Sequence, residues 1–511
     1  MPEIYLNQIA HGRSGDKGDT SNVCIFARKP EYYPILQREL TVEKVRAHFG
    51  EMVKGEITRY EVPTLDGFNF VMKHALGGGA TLSLRLDSLG KSMGSAFLRM
   101  KVRVRRASWM SDHRALENLT VLDLTRVLAG PFCTMMLADM GADVIKIEVP
   151  GGGDDTRGYP PFRENRDGER ESLYFANINR NKRGVTLNLK TPEGKALFLR
   201  MAERADIVVE NYRPGVMDRL GLGYEQLRRA NPRIIYAAVS GFGSYGPYHL
   251  RPGYDILAQA MGGMMAITGP AGGGPTRAGS ALGDILGGLH LAIGILAAVN
   301  ARTVTGRGQR VDVSLMDSVI AATENTAVKY LESGRVPPRM GNRYAAVSPY
   351  DGFRCKDGVV IVACGNQKLF GKLCTEILGQ PQLADDPRFA DMTGRLEHQD
   401  ELKVLIEGWL ADKTMEEAAD ILLAHGIPAG PILDVSQILS DPHVKEREMF
   451  VEMEHPTLGR ITVNGCAVKL MGTPAAVRAP APALGQDNRQ VFTALGLSEQ
   501  EFQALEEKKV F

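Results

Sequence analysis

The sequence predicts an α/β protein: a large domain built on a Rossmann-like parallel sheet, a smaller α/β domain, and a small α+β unit in front of both. Three observations predict it. From Leu116 onward, short apolar strands alternate with amphipathic helices, the pattern of a parallel sheet covered on both faces. Residues 1–105 instead mix alternating strands with helical spacing, and beyond about residue 340 strands give way to helix-rich segments separated by turn residues. A length of 511 residues also suits three domains at roughly 100–200 residues each.

In the first unit, EIYLNQIA, NVCIFAR and EITRYEV are predicted strands, and PILQRELTVEKVRAHF has helical spacing. After the glycines at 77–79, ATLSLRLD alternates as a half-buried strand and GKSMGSAFLRM returns to helical spacing. Lys101, Arg103 and Arg105 alternate with valines, giving a strand with one solvated basic face that leads into a linker, 106–115. The large domain, 116–335 and 440–511, carries predicted strands LTVLDL, DVIKIE, DIVVEN and RIIYAAVS between helices PFCTMMLADMG, TPEGKALFLRMAERA and YEQLRRA. Long helices are predicted over about 282–304 and 311–332. The apolar run 285–299 falls short of the ~20 residues that span a bilayer. It is read as a buried helix with His290 a hydrogen-bonded core residue. The smaller domain, 336–439, has strands SPYDGFRC and GVVIVACG and helices QKLFGKLCTEIL, QDELKVLIEGWL and TMEEAADILLAHG. The tail runs through strands to a final helix.

Lys+Arg is 61 and Asp+Glu is 60, a balance without the basic excess of a dedicated nucleic-acid binder or a membrane-surface protein. Six cysteines without a C-x-x-C pair predict neither a disulfide framework nor a metal site, and suit a reducing cytoplasm. The first residues lack the basic start and apolar core of a signal peptide. Glycine is in mild excess, 56 of 511 or about 11%, against a usual ~7%.

GFGSYG at 241–246 follows a strand, but Pro247 stands where a helix should open, so no helix N-terminus is offered to a pyrophosphate. GKS at 90–92 lacks the upstream glycine of a phosphate loop, Arg85 standing there, and neither G-x-S-x-G nor H-E-x-x-H occurs. More telling are four polar clusters at predicted strand ends: TRVLAGP, EVPGGGDDTRG, NYRPGVMDRLG and SGFGSYGP. Ligands bind at such ends in open parallel sheets. Each cluster joins small residues to a cation or amide such as Arg126, Arg157, Asn211 or Arg219, a chemistry suited to a large polyanion with an apolar part. Taken singly, each is also an ordinary turn-rich loop.

These clusters, with LADMGADVIKIE, ESLYFANINRNKRGVTLNLKTPEG, ADIVVENYRPGVMDRLGLGYE, ALGDILGGLHLAIGILAAV, RMGNR, GIPAGPI and DPHVKEREMF, resemble the class III CoA-transferase family of the CaiB/BaiF type over about 116–511. The resemblance implies an interlaced homodimer that binds CoA at the large domain and acts on an acyl-CoA and an organic acid. It places CoA contacts on Arg126, Val127, Leu128 and Ala129, on Val149, on 187–190 (Leu187, Leu189, Lys190), on Asn211, Tyr212 and Arg213, on Arg219, and on Ser240, Gly241, Phe242 and Gly243. Lys190 and Arg219 would meet phosphates, and Leu187 and Leu189 would flank the adenine. Val149 stands where formyl-CoA transferase has an arginine.

The family attacks the thioester with an aspartate, and matching its T-G-x-x-D-G-P-P turn to TGPAGGGPTRAGSALGD puts Gly272 at the nucleophile's place. Three readings follow: CoA transfer with another carboxylate, Asp284 or Asp255; a lyase, hydratase or isomerase using the same pocket; or a CoA-ester-binding subunit. Two-base epimerisation is disfavoured because Tyr254 stands where the racemase branch has its histidine, and a phenol of pKa ~10 is a poor base. The first unit resembles the ferredoxin-like domain of the acyclic terpene utilisation protein AtuA. There Arg13, Asp16, Lys17, Asp19 and Asn22 crowd a glycine turn, either as an anion site, which could serve the CoA pocket, or as a self-satisfied turn network.

Overall fold

The computed structural model describes residues 3–78, 92–103 and 113–511. The predicted strand ATLSLRLD, Arg85, most of the GKS run, Arg105 and the greater part of the linker lie outside them. The chain divides into two units, Met1–Arg114 with Lys469–Pro474, and Ala115–Val468 with Ala475–Phe511.

In the first unit, β1 (Glu3–Tyr5) pairs with β6 (Lys101–Arg103), while β2 (Ala10–Lys17), β3 (Thr20–Ala27), β4 (Ile57–Val62) and β5 (Gly67–Met72) form an antiparallel sheet in the order β2-β3-β5-β4. Alternation sends Val23 and Ile25 of β3, and Phe68, Phe70 and Met72 of β5, to one buried face. Helices α1 (Tyr33–Glu39), α2 (Val42–Phe49) and α3 (Met93–Phe97) cover that face with Ile35, Leu36, Val45, Phe49 and Phe97, a ferredoxin-like layer of helices on a sheet. The single helical stretch of the sequence is thus two helices, because Thr41 caps the second by accepting from Lys44 N. The expected glycine turn is mostly strand. Only Gly18 and Asp19 separate Lys17 from its partner Thr20, with Gly18 at φ +64°, as a two-residue hairpin turn requires.

The second unit is built on six parallel strands: β7 (Thr120–Asp123), β8 (Asp143–Glu148), β9 (Arg183–Thr186), β10 (Ile207–Glu210), β11 (Ile235–Ser240) and β12 (Arg310–Ser314). Their order is β9-β8-β7-β10-β11-β12. β12 corrects the expectation of a helix from 311. RVDVS alternates, its Val311 and Val313 pack inward on the core, and helices Leu315–Ala321 and Thr326–Ser333 follow it. The chain builds outward from β7 to β9 and then returns to start β10 on the other side of β7, so a crevice opens between the C-terminal ends of β7 and β10.

One face of this sheet is covered by α5 (Pro192–Arg204), α6 (Tyr224–Ala230) and the chain's last residues, Phe492 and Phe502 among them. α4 (Ala129–Asp139) and α7 (Leu282–Thr305) cover the other. A Cβ added at Gly288 of α7 would stand 2.7 Å from the carbonyl oxygen of Ala129, so the bare glycine lets α7 pack hard against the start of α4. By length and composition α7 could cross a membrane. It lies on β11 and β12 instead, but Leu289 and Ile293 are exposed and His290 is only half-buried, so it is a half-buried helix rather than the fully buried one expected.

Tyr350–Arg354, Val359–Ala363 and Ala429–Pro431 form a separate antiparallel sheet under helices Gln367–Lys372, Gln399–Leu410 and Met415–Ala424, around a core of Phe353, Val360, Phe370 and Leu402. A hairpin of Phe450–His455 and Gly459–Asn464 and the helices Asn488–Ala494 and Glu499–Glu507 complete the chain.

Candidate active site

A cavity of about 350 Å³ opens where the strand order reverses, walled by the loops after β7, β10 and β11, the segment 251–254 and Asp284. The loop after β7 is fixed almost atom by atom. Thr125 N donates to Asp123 Oδ1 and Thr125 O accepts from Lys146 Nζ, both at 2.9 Å. Asn211, arriving from β10, accepts from Arg126 N at 2.8 Å and donates to Arg126 O at 2.7 Å. Val127 N donates to Asp154 Oδ1 at 3.2 Å. Val127 itself sits at φ +67°, a left-handed conformation rare for a β-branched residue. From there α4 starts at Ala129 without a side-chain cap, its first turn at the cavity wall.

Buried charges support the loop from below. Asp123 accepts from Lys182 Nζ at 2.9 Å and Thr134 Oγ1 at 2.7 Å. Burial alone would push this carboxyl up, but Lys182 and Lys146 outweigh it and hold it at about 2. Lys146 Nζ reaches Asp154 Oδ2 at 2.8 Å, and both side chains are fully buried. Burial works against the Asp154 carboxylate too, yet Lys146 holds it below the usual range. Glu148 accepts from Asp154 N at 2.8 Å and from Arg157 through both of its oxygens.

Asp284 has the opposite electrostatics. It stands in the first turn of α7, and burial, aided by the nearby Asp255 carboxylate, pushes its carboxyl up to about 7. Asp255 is held by Gly283 N at 2.7 Å and Gln259 Nε2 at 2.9 Å. Tyr174 is pushed up to about 12, by burial first and the Asp284 charge second. Behind Tyr212, burial raises the Glu210 carboxyl to about 7 although it accepts from Tyr212 N and the Tyr236 hydroxyl. A carboxylate that is destabilised yet open to a cavity suits nucleophilic or proton-transfer chemistry.

Of the residues singled out in the sequence, Arg126, Val127, Leu128, Ala129, Asn211, Tyr212, Arg213, Ser240, Gly241 and Asp284 meet in this cavity. The walls fit a polar ligand: Arg126 Nε and Ser240 Oγ are buried without a partner. Arg126 also pairs with Asp155 at 2.7 Å. Other expected contacts lie elsewhere. Leu187 is 2% exposed inside the core, so it cannot flank an adenine, and Leu189 packs against the same core. Val149, Lys190 and Arg219 are on the surface and do not line the cavity, nor does Phe242, which meets Tyr248 edge to face. Gly272 occupies an exposed turn at φ +72°, with open space where a Cβ would point, and is not in the wall. Asp155, Arg251, Pro252 and Gly253 also line the cavity, marked in the sequence only by the runs EVPGGGDDTRG and HLRPGYD, and Tyr254, placed by the comparison with the racemase branch, joins them.

In the first unit, Arg13, Lys17 and Asn22 lie by register on the sheet face turned away from the helices, whereas Asp16 shares the other face with Ser21. Asp19, in the turn, is spent on the distant segment 74–78, accepting from Gly78 N, His74 Nδ1 and Leu76 N, bonds that hold its carboxyl low.

Residues 116–488 match the family described as CoA-transferase family III, and residues 4–103 match the AtuA ferredoxin-like domain. The acetyl-CoA:oxalate CoA-transferase of Acetobacter aceti is 42% identical over 357 residues, 70% of this chain and 89% of that protein. The succinyl-CoA--D-citramalate CoA-transferase of Chloroflexus aurantiacus is 39% identical over 398 residues, 78% and 98% of the two chains. Among solved structures, a CaiB/BaiF family protein from Brucella suis superposes with a TM-score of 0.67 at 38% identity, covering 75% of this chain and 100% of that one.

Proposed function

The chain belongs to CoA-transferase family III, and from that premise we propose that it moves CoA between an acyl-CoA and a small dicarboxylic acid, with Asp284 as the nucleophile. What carries the reading is Asp284 itself, a carboxylate in the cavity wall whose charge is disfavoured by burial. Its oxygen attacks the thioester carbonyl, the C–S bond breaks, and CoA leaves as the thiolate with an acyl anhydride left on Asp284. The thiolate then attacks the aspartyl carbonyl, which releases the donor acid and leaves CoA on Asp284 as a thioester. The acceptor carboxylate repeats the two steps in reverse order and leaves with CoA. Hydrolysis is avoided only if water is kept from the anhydride, which suits a reaction run inside the cavity.

The acid class is supported by the relatives, whose names give oxalate and D-citramalate, and by Arg126, Arg213 and Arg251 around the cavity, which could receive carboxylates. Gly272 carries no part of this reading, since its turn lies away from Asp284's cavity. With a carboxylate available, neither a lyase nor a binding subunit is needed to account for the site.

The functional form we propose is a homodimer. Leu289 and Ile293 on α7, Val328 and Leu331 on Thr326–Ser333, and an apolar cleft of about 430 Å³ lined by Phe132, Met135 and Met449 all offer surface for a second copy. A cytoplasmic location suits six cysteines that are all unpaired.

The test is to incubate the purified chain with succinyl-CoA and isotopically labelled oxalate or glutarate, then quench with hydroxylamine. Labelled acyl-CoA and a hydroxamate on the peptide containing Asp284 are expected. CoA exchange with the hydroxamate on another carboxylate would move the nucleophile, and thioester consumption without exchange would end the transferase reading. Any turnover by the chain alone removes the binding-subunit alternative.

A further inference from the structure

We infer that Asp154 and Lys146 are positioning residues for the CoA-binding loop, a buried charge pair that holds the strained backbone at Val127 in its binding form. The inference rests on the proposed CoA site. The two side chains are fully buried, 2.8 Å apart, and each also bonds the backbone of the pocket loop. Lys146 Nζ donates to Thr125 O at 2.9 Å. Asp154 Oδ1 accepts from Val127 N at 3.2 Å, and from Thr156 N at 3.0 Å and Thr156 Oγ1 at 2.8 Å. The loop is thus gripped on both sides of Arg126, while Asn211 holds Arg126 itself.

A valine at φ +67° does not hold that conformation by its own preference. An observed outlier of this kind persists where its surroundings over-determine it. Here they do so through an anion on the Val127 N–H and a cation on the Thr125 carbonyl, each stronger than a neutral partner. Neither Asp154 nor Lys146 lines the cavity, so neither touches the ligand. They act through the loop, whose residues 126–129 do line it. Because Lys146 neutralises Asp154 inside the protein, the pair can do this without presenting a net charge to an incoming polyanion. Of the neighbouring carboxylates, Asp123, paired with Lys182, anchors the loop's root by accepting from Thr125 N, and Glu148, paired with Arg157, steadies Asp154 by accepting from its N–H; only Asp154 reaches the strained Val127 N–H.

The test uses the full chain with two readouts that do not require transfer: CoA binding by calorimetry, and amide hydrogen exchange of residues 124–131 by mass spectrometry. Asp154→Asn, which puts an amide among the N–H donors, is expected to weaken CoA binding at least tenfold and speed exchange in the loop at least tenfold. Thr156→Val removes one of the bonds that orient Asp154; it is expected to shift both readouts two- to fourfold in the same direction and serves if Asp154→Asn does not fold. Where transfer is measurable, the KM for the CoA thioester should rise with kcat changed less than threefold. A folded variant with lowered thermal stability but loop exchange and CoA affinity within twofold of the parent would overturn the inference, since a merely structural pair behaves that way. Failure of the parent to transfer CoA, with the loop effects intact, would count against the proposed reaction and not against the clamp.

Discussion

Asn211 and Arg126 form a reciprocal pair across the crevice of the sheet: the amide oxygen takes Arg126 N–H at 2.8 Å and the amide nitrogen gives to Arg126 C=O at 2.7 Å. One side chain thereby ties the strand-end loops of β7 and β10 to a common position. Asn211→Asp keeps the acceptor and turns the donor into a second acceptor facing a carbonyl. Leaving these groups mispaired should cost about 1–3 kcal/mol and reduce kcat/KM ten- to a hundredfold. Chemical denaturation and transfer kinetics on the same preparation check both.

Asp284 provides the pH dependence. Its carboxyl is raised to about 7, so the reactive carboxylate is lost as pH falls through that value; kcat/KM should drop about tenfold per unit below it. The effect on stability runs the other way. A raised carboxyl contributes most when protonated, below the unfolded value near 4, and that contribution is lost as pH rises from about 4 to 7. Asp284→Asn should therefore abolish transfer and stabilise the fold by about 1–3 kcal/mol at pH 8. Thermal unfolding at pH 5 and 8 separates the two effects, the gain being larger at pH 8.

Gly272→Asp restores the residue that the motif alignment demands. The turn is exposed and the added side chain meets open space, so the cost is backbone strain of about 1–2 kcal/mol at most. Transfer rates should stay within twofold of the parent. A large gain would return the nucleophile to that turn.

Arg180 is 1% exposed and bonds Asp139 through two nitrogens, at 3.2 and 2.7 Å. Arg180→Met leaves the buried Asp139 carboxylate without its bidentate cation, Asn181 Nδ2 remaining as a neutral donor at 2.7 Å. The loss should be about 3–5 kcal/mol, read as a lowered denaturation midpoint with an unchanged slope.

Ile293 is 63% exposed on the outer side of α7. Ile293→Glu should shift the particle mass from two chains toward one in light scattering, with little change in the unfolding of the isolated chain if that face is an interface between copies.

Four of the six strands are legible because they are apolar stretches buried on both faces, as in DIVVEN and RIIYAAVS; the edge strand β9, RGVT, is too short and polar to be predicted. β12 is not legible either: RVDVS lies at the sheet edge, is half polar, and leads without a break into a helix, so its period merges with the helix's own. Leu187 shows a different failure. A leucine one residue past a strand is as apt for a ligand as for a core, and only the packing of α5 and the final helices decides for the core. The cavity's polar loops were found because small residues and cations cluster at strand ends. Tyr174 and Asp155 are far in sequence from Asp284 or unremarked beside better-known motifs, and they came together only through the crossing of chain segments.

The close approach of α7 to α4 at Gly288 also sets a length. Asp284 lies one turn before Gly288 on a helix too rigid to bend over that span, so the gap between the proposed nucleophile and the loop proposed to receive CoA is gauged by an absent methyl group. A bulkier residue there would act as a shim, lifting the carboxylate away from the thioester carbon without altering any atom that takes part in the reaction.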